Sequence, residues 1–413
     1  MLTTIAQTDP PAPTRFERRK EEILHAAAAL FNRNGLRDTT LAILAGEIGL
    51  NLKSLRYYFK KREDLVAAAF LDSIALHRAL VADAESIDQF DDRIRHFVRS
   101  YFALQARVRS GEQAEFVHFG DLRALTQPHF DIVGAAYVEM FRHFRRLFKP
   151  GECSWSSAER SANAHLLLSQ LFWSVIWIDG YLPEDYGRAA DRLCDILLNG
   201  LAGRIVDLSG TDGEIPTPFF DSERLSHDSF LRTATHLINE IGYRGASVDR
   251  ISSALSVTKG AFYHHNETRD GLVVACFERT FDIVRRAQDR AMAEDMNGLG
   301  RVAAAAVTLV GRQMSSEGAL LRTSALTAIG PELRTEMARR LTLLTWRFAD
   351  MLNDGMTDGS VRICDIRIAS EMVTAMINST QELELWVPSA DASNAATLYI
   401  RPLLYGFLAS AKR

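Results

Sequence analysis

The feature that most constrains this chain is an internal repeat. Residues 242–272 align on residues 35–65 without a gap, at a constant offset of 207. The same offset relates Leu24 to Leu231, Ala27 to Ala234, Arg37 to Arg244, Arg62 to Arg269, Val66 to Val273 and Phe70 to Phe277. The far ends correspond too: Tyr181-Leu182-Pro183 matches Trp386-Val387-Pro388, and Leu197-Leu198-Asn199-Gly200-Leu201 matches Leu403-Leu404-Tyr405-Gly406-Phe407. Whatever the first half folds into, the second must fold into as well. A chain of 413 residues also exceeds one ordinary core, so two such units are the natural division.

The pattern of one unit is helical throughout. Between residues 18 and 34, Ile23, Leu24, Ala27, Leu30 and Phe31 recur at helical spacing, and Gly35 follows as a stop. Thr39 or Thr40 caps a second helix through Ile43, Leu44 and Ile48 that ends at Gly49. Asn51 caps a third, over 52–59, and a fourth starts near Arg62 with Glu63 and Asp64 where the helix dipole favours negative charge. Helix, short turn and helix is the helix-turn-helix arrangement, whose second helix enters the DNA major groove. Beyond it, residues 91–109, 113–125, 130–148, 157–181 and 186–205 carry helical periodicity, and no stretch alternates as a strand does.

The expected fold is therefore all-α: two tandem units, each a three-helix helix-turn-helix head joined to a helical-bundle body. The expected divisions are a disordered tail over 1–14, a first head over 15–64 and a first body over 65–205. A linker rich in Gly, Pro, Ser and Thr covers 206–222, followed by a second head over 223–271 and a second body over 272–413.

The third helix has the residue types that groove entry needs. Lys53, Ser54, Arg56, Tyr57 and Tyr58 offer donors and flat aromatic edges, Lys60, Lys61 and Arg62 add a cationic cluster, and Leu52, Leu55 and Phe59 anchor the other face. The chain is acidic overall, with formal net charge −4, so a nucleic-acid contact must be local. Residues 15–64 carry eleven basic against seven acidic side chains, a basic end on an acidic body. The second copy is weaker, with six against five over 224–272, which leaves its DNA binding open.

Other chemistries find little support. Cys153, Cys194, Cys276 and Cys364 are far apart, show no metal spacing, and suit free thiols of a reducing compartment. Residues 1–14 have no apolar core of a signal peptide, and the apolar stretch 166–178 is too short and polar-broken for a bilayer, so a cytoplasmic protein is expected. Glu22 with His25 and Glu115 with His118 have the Glu-x-x-His spacing of di-iron bundles, but lie in different parts of the unit. Ser256-Val-Thr-Lys259 imitates a serine-enzyme motif without its companion Lys-Thr-Gly. With no P-loop or nucleophile elbow either, the expectation is no enzyme, no catalytic residue, no metal and no cofactor.

The two copies resemble the tetracycline-repressor (TetR) family of bacterial transcriptional regulators, whose third helix follows the pattern Gly-Val-Ser-Lys-Gly-Ala-Leu-Tyr-His-His-Phe. Residues 256–266, Ser-Val-Thr-Lys-Gly-Ala-Phe-Tyr-His-His-Asn, are the nearer match and depart at Asn266. The first copy departs with Leu52, Lys53 and Arg56 in place of the pattern's Lys, Gly and Tyr. The resemblance implies a DNA-binding head joined through helix four to a ligand-binding and dimerisation body. By position it implies DNA contacts at Thr40, Lys53, Ser54, Arg56, Tyr57, Tyr58 and Lys61, and at Ser247, Thr258, Lys259, Gly260, Tyr263, His264 and Arg269 in the second copy. Arg56 and Lys53 suit base edges, while tyrosine hydroxyls and the other cations suit phosphates.

The implied function is a ligand-responsive regulator, most often a repressor, of double-stranded operator DNA in the bacterial nucleoid. The alternative is a protein-interaction module whose second helix-turn-helix no longer binds DNA. Among the many aromatics of the first body, Phe116, Phe119, Phe141, Trp173 and Trp177 are candidates for lining a pocket for a small apolar effector. The expected assembly is an intramolecular pseudo-dimer of the two halves, with a homodimer of chains as the alternative.

Overall fold

The computed structural model describes residues 14–203, 227–245, 248–254, 269–315 and 319–411. Helix α1 (Arg15–Asp38) starts at Thr14, whose hydroxyl accepts from the Glu17 amide while the Glu17 carboxylate accepts from the Thr14 amide. Gly35, at φ +77°, bends its last turn. Helix α2 (Leu41–Glu47) is capped by Thr40, and α3 (Leu52–Tyr58) by Asn51, whose side chain accepts from the Ser54 amide at 2.8 Å. Gly49, at φ +64°, makes the turn between them. The long α4 (Arg62–Glu85) then leaves the head, tied to it by Arg62 Nε donating to the Thr39 carbonyl at 2.9 Å.

Ile23, Ala27, Phe31 and Leu44 of this head and Leu65 and Phe70 of α4 are buried. Their partners at an offset of 207, Phe230, Ala234, Ile238, Ile251, Leu272 and Phe277, are buried in the second copy. There α9 (His227–Gly245) and α10 (Val248–Ala254) repeat α1 and α2, and the kink glycine recurs as Gly242 at φ +70°. The second copy's groove helix lies outside the described residues.

The first body continues with α5 (Phe90–Arg109), α6 (His129–Arg145), α7 (Ser157–Trp177) and α8 (Tyr186–Asn199). The second has α11 (Arg269–Ala293), α12 (Gly298–Gln313), α13 (Pro331–Asp358), α14 (Ile366–Ser379), a short α15 (Leu383–Trp386), a π-turn at Ala396–Ile400, and α16 (Arg401–Tyr405) with α17 (Phe407–Ala411). Among the described residues there is no β-strand, only an isolated antiparallel bridge between Ala202 and Val361. The fold is all-α, as the periodicity requires. Among the described helices, α4 is long and apolar enough to cross a membrane by length and composition, a property the sequence reading did not find. Its Leu65, Val66, Phe70, Ile74 and Val81 are instead buried in the protein core.

One expected helix is absent. Residues 113–118 form a non-helical strap that leads into a short 3-10 helix, Phe119–Ala124. The strap's amides are claimed from elsewhere: Val117 donates to the Ser73 hydroxyl at 2.8 Å and His118 to the Asn32 side chain at 3.1 Å. Glu115 and His118 therefore do not share a helical face.

The two halves pack on each other along α7 and α8 of the first and α14 to α17 of the second. A continuous apolar core runs through both bodies. Gln170 donates to the Met372 carbonyl, Trp173 Nε1 to the Glu371 carboxylate at 2.9 Å, and Arg192 pairs with Asp365. Arg362 donates to the Gly200 carbonyl and to the Asp195 carboxylate. At the centre Gly200 and Gly406, both at positive φ, lie backbone against backbone. A Cβ on Gly200 would meet the Tyr405 carbonyl carbon at 2.3 Å, and one on Gly406 would meet the Leu198 oxygen at 2.4 Å. The amides of Leu201 and Ala202 both donate to Leu404.

Candidate DNA-contacting face and effector cavity

Capping by Asn51 and burial of Leu55 and Phe59 turn one face of α3 inward, which leaves the opposite face to water. Lys53, Arg56 and Tyr57 are exposed there, with Tyr57 at 74%. Among the described residues no ion pair engages Lys53, Arg56, Lys60 or Lys61, so their charge is available to a polyanion. Ser54 and Tyr58 are half-buried, and the Thr40 hydroxyl is used as a cap. Phe16, which sequence reasoning missed, stacks on Tyr58 with centroids 5.0 Å apart and meets Tyr57 edge-on at 5.7 Å. It sets the direction of both tyrosines from the first turn of α1. Of the residues assigned to the second copy, Ser247, Thr258, Lys259, Gly260, Tyr263 and His264 lie outside the described residues. Arg269 starts α11.

A cavity of about 540 Å³ lies beneath the heads, between the two bodies. Its walls include Phe116, Phe119, Tyr137, Phe172 and Trp173 from the first half, and Arg322, Leu341, Thr345, Glu371, Asn378 and Glu382 from the second. Of the five expected pocket residues, Phe116, Phe119 and Trp173 are in the wall. Phe141 instead stacks on Trp386 across the halves, centroids 3.8 Å apart, and Trp177 packs against Phe102 and Tyr181. The second-half wall residues were missed because nothing local in the sequence marks them.

His77 and His165 also line the cavity, and both are fully buried. Burial pushes each imidazole down to about 4, so both are neutral at pH 7. The Arg322 guanidinium is held by Gln381 and by the Glu382 carboxylate at 2.6 Å. Burial raises the Glu371 carboxyl above its ordinary range, while the Trp173 hydrogen bond opposes this.

The roof of the cavity is built twice. In the first half Asn32 of α1 donates to the Phe116 carbonyl at 2.9 Å and accepts from the His118 amide at 3.1 Å. In the second, Asn239 of α9 donates to the Leu320 carbonyl at 2.9 Å and accepts from the Arg322 amide at 3.0 Å. Ser73 and Thr280 take the amide between, from Val117 and Leu321. Asn32 and Asn239 stand 207 apart, so the repeat itself held the signal for this clasp. Each strap's 3-10 turn, Phe119–Ala124 or Thr323–Ala328, touches α1 of the first head and α9 of the second. One pair of straps thus meets both heads above and the cavity below.

The cysteines are unbridged; Cys194 and Cys276 are buried, with burial pushing their thiols up to about 12 and about 11.

The sequence pattern of bacterial regulatory proteins of the tetR family matches residues 23–69 and again 230–276. A curated relative, the transposon Tn10 TetC protein of Escherichia coli, is 41% identical over 54 residues, 13% of this chain. The chain spans only 27% of that relative's length. Among solved structures, the TetR family transcriptional regulator PfmR of Thermus thermophilus is similar at 19% identity and TM-score 0.37, covering 43% of this chain and 98% of its own. The transcriptional regulator FadR of Bacillus subtilis, solved with stearoyl-CoA, is similar at 16% identity and TM-score 0.38, covering 44% of this chain and 100% of its own. Both matched segments are of a family of bacterial regulatory proteins. The chain carries, at the start of each of its halves, an N-terminal unit of the tetR family of bacterial regulatory proteins.

Proposed function

We propose that the protein is an operator-binding repressor of the bacterial cytoplasm, whose two halves pair within one chain and release DNA when a small effector enters the shared cavity. The observation that carries this reading is the doubled roof. Straps that wall the cavity are clasped by Asn32 and Asn239 and touch the first helix of both heads, so a ligand that displaces a strap changes how the heads sit. A ligand shifts such an equilibrium only through its different affinity for the two states. The two halves already meet along α7, α8 and α14 to α17, which supports pairing in cis. Because the two heads differ in charge, the operator is an imperfect palindrome that depends more on the half read by Arg56.

The test is binding of the purified protein to DNA upstream of its own gene, with light scattering for the assembly state. Arg56→Ala is expected to cost about 1–3 kcal/mol and relax base preference, whereas Lys61→Ala weakens binding to all sequences and lowers the salt slope by about one unit. Equal affinities of wild type and both variants would remove the DNA face, and a stable dimer of chains would replace pairing in cis. Asn32→Ala addresses the coupling. It leaves a buried carbonyl without its donor, a loss of about 1–3 kcal/mol, and is expected to leave effector binding in place while weakening effector-driven DNA release. Release that matches wild type at the same effector occupancy would discard the clasp as the route.

A further inference from the structure

The cavity's polar groups are not arranged for an anion. Arg322 is already held by Gln381 and Glu382, and Glu371 is a second acidic side chain in the wall. What the wall does offer is an acceptor. The Nδ1 of His77 lies 2.7 Å from the Ser73 carbonyl oxygen, which can only accept, so the proton of the neutral ring sits on Nδ1. Its Nε2 is then a bare lone pair, and among the described residues it has no partner. The rings of Phe116, Phe119 and Phe172 stand edge-on to the imidazole and cover it, with ring centroids 5.4, 5.2 and 5.6 Å apart, and none of them can donate. Tyr101 lies tilted against the same ring at 5.8 Å, its hydroxyl accepting from Gln105 rather than meeting Nε2. Burial keeps a second proton off this ring at neutral pH, so the acceptor persists under ordinary conditions.

We infer that the cavity binds one uncharged, hydroxyl-bearing aromatic molecule per chain, its hydroxyl donating to Nε2 of His77 and its rings lying between walls supplied by both halves. The inference rests on the reading of this cavity as the effector site and names the class of effector. A volume of about 540 Å³ suits a molecule of several fused rings. Single occupancy follows from the duplication's own asymmetry. The position 207 residues beyond His77 is Val284, so the second half has no equivalent acceptor. Phe119 and Trp173 face Leu341 and Thr345 across one space, so neither half encloses the ligand alone.

The probes are 1-hydroxypyrene, 1-methoxypyrene and 1-pyrenecarboxylate, titrated into the full chain without DNA and followed by tryptophan fluorescence. 1-Hydroxypyrene is expected to saturate at one per chain and to bind about ten- to a hundredfold more tightly than the methyl ether, which cannot donate. His77→Phe is expected to bring the hydroxyl compound down to the affinity of the ether. Ala338→Trp, which fills the cavity from the second half, is expected to abolish binding of both, and this comparison stands even if the His77 variant fails to fold. Equal affinity of hydroxyl and ether in the wild type, tightest binding of the carboxylate, saturation at two per chain, or no saturable binding would each overturn the inference. DNA release is read separately. Binding of this pattern with the operator still occupied would sustain the ligand class and remove the regulatory role.

Discussion

Gly406→Ala is expected to destabilise the protein by at least about 3 kcal/mol, with loss of the packing between its halves. Two costs combine. Gly406 sits at φ +84° and ψ 157°, a region essentially confined to glycine, where an L side chain strains the backbone by about 1–3 kcal/mol. Its Cβ would also lie 2.4 Å from the Leu198 oxygen and 2.5 Å from the Gly200 nitrogen, so the clash is with main chain that has no rotamer to change. Relief requires α8 to move away from α16 and α17, and with them Leu201 and Ala202 lose their bonds to Leu404. Gly200→Ala faces the mirrored clash and should behave alike. Gly187→Ala is the control. It lies in α8, a Cβ there meets nothing within 4 Å, and it is expected to stabilise by about 0.5–1 kcal/mol through helix propensity. Urea unfolding of the three variants decides, and a Gly406→Ala midpoint equal to that of wild type would refute the close crossing.

The second large effect is acid lability. His77 and His165 titrate at about 4 when folded against an ordinary 6.5, because burial disfavours their charged forms. Below pH 6.5 the unfolded chain therefore binds more protons than the folded one. The stability is complete above pH 6.5 and falls steadily as the pH drops toward 4, by about 3 kcal/mol for each ring. Glu371, whose carboxyl is raised by burial, works in the opposite sense and softens the loss. Melting temperatures measured from pH 7 to pH 4 should show a slope that His77→Phe with His165→Phe largely removes. An unchanged slope in that double variant would place the acid sensitivity elsewhere.

The heads were legible because their signals are local. Thr40 and Asn51 cap as their positions predict, and the buried set of the first head reappears in the second at one offset. Residues 113–125 carry helical periodicity, yet 113–118 do not form a helix. Periodicity does not reveal that Asn32 and Ser73, many residues away, take the amides that a helix would have used. The cavity was half legible for a related reason. Aromatic spacing shows which side chains turn inward, but not which of them face empty space, so Phe141 and Trp177 looked equivalent to Phe119 and Trp173. Arg322, Glu371 and Asn378 reach the cavity only because two halves meet, and no window of sequence contains both.

The crossing of Gly200 and Gly406 has a consequence for how such a molecule can change over generations. In a pair of identical chains every substitution at the seam arrives twice and must satisfy both places at once. Here each seam residue is encoded once. Arg192 can match Asp365, and Arg362 can match Asp195, with no mirror-image counterpart to satisfy. Contacts made within one chain are also immune to dilution, since no mass-action term separates them. A cell holding only a few copies of this chain would keep every such seam closed, with no encounter between chains required.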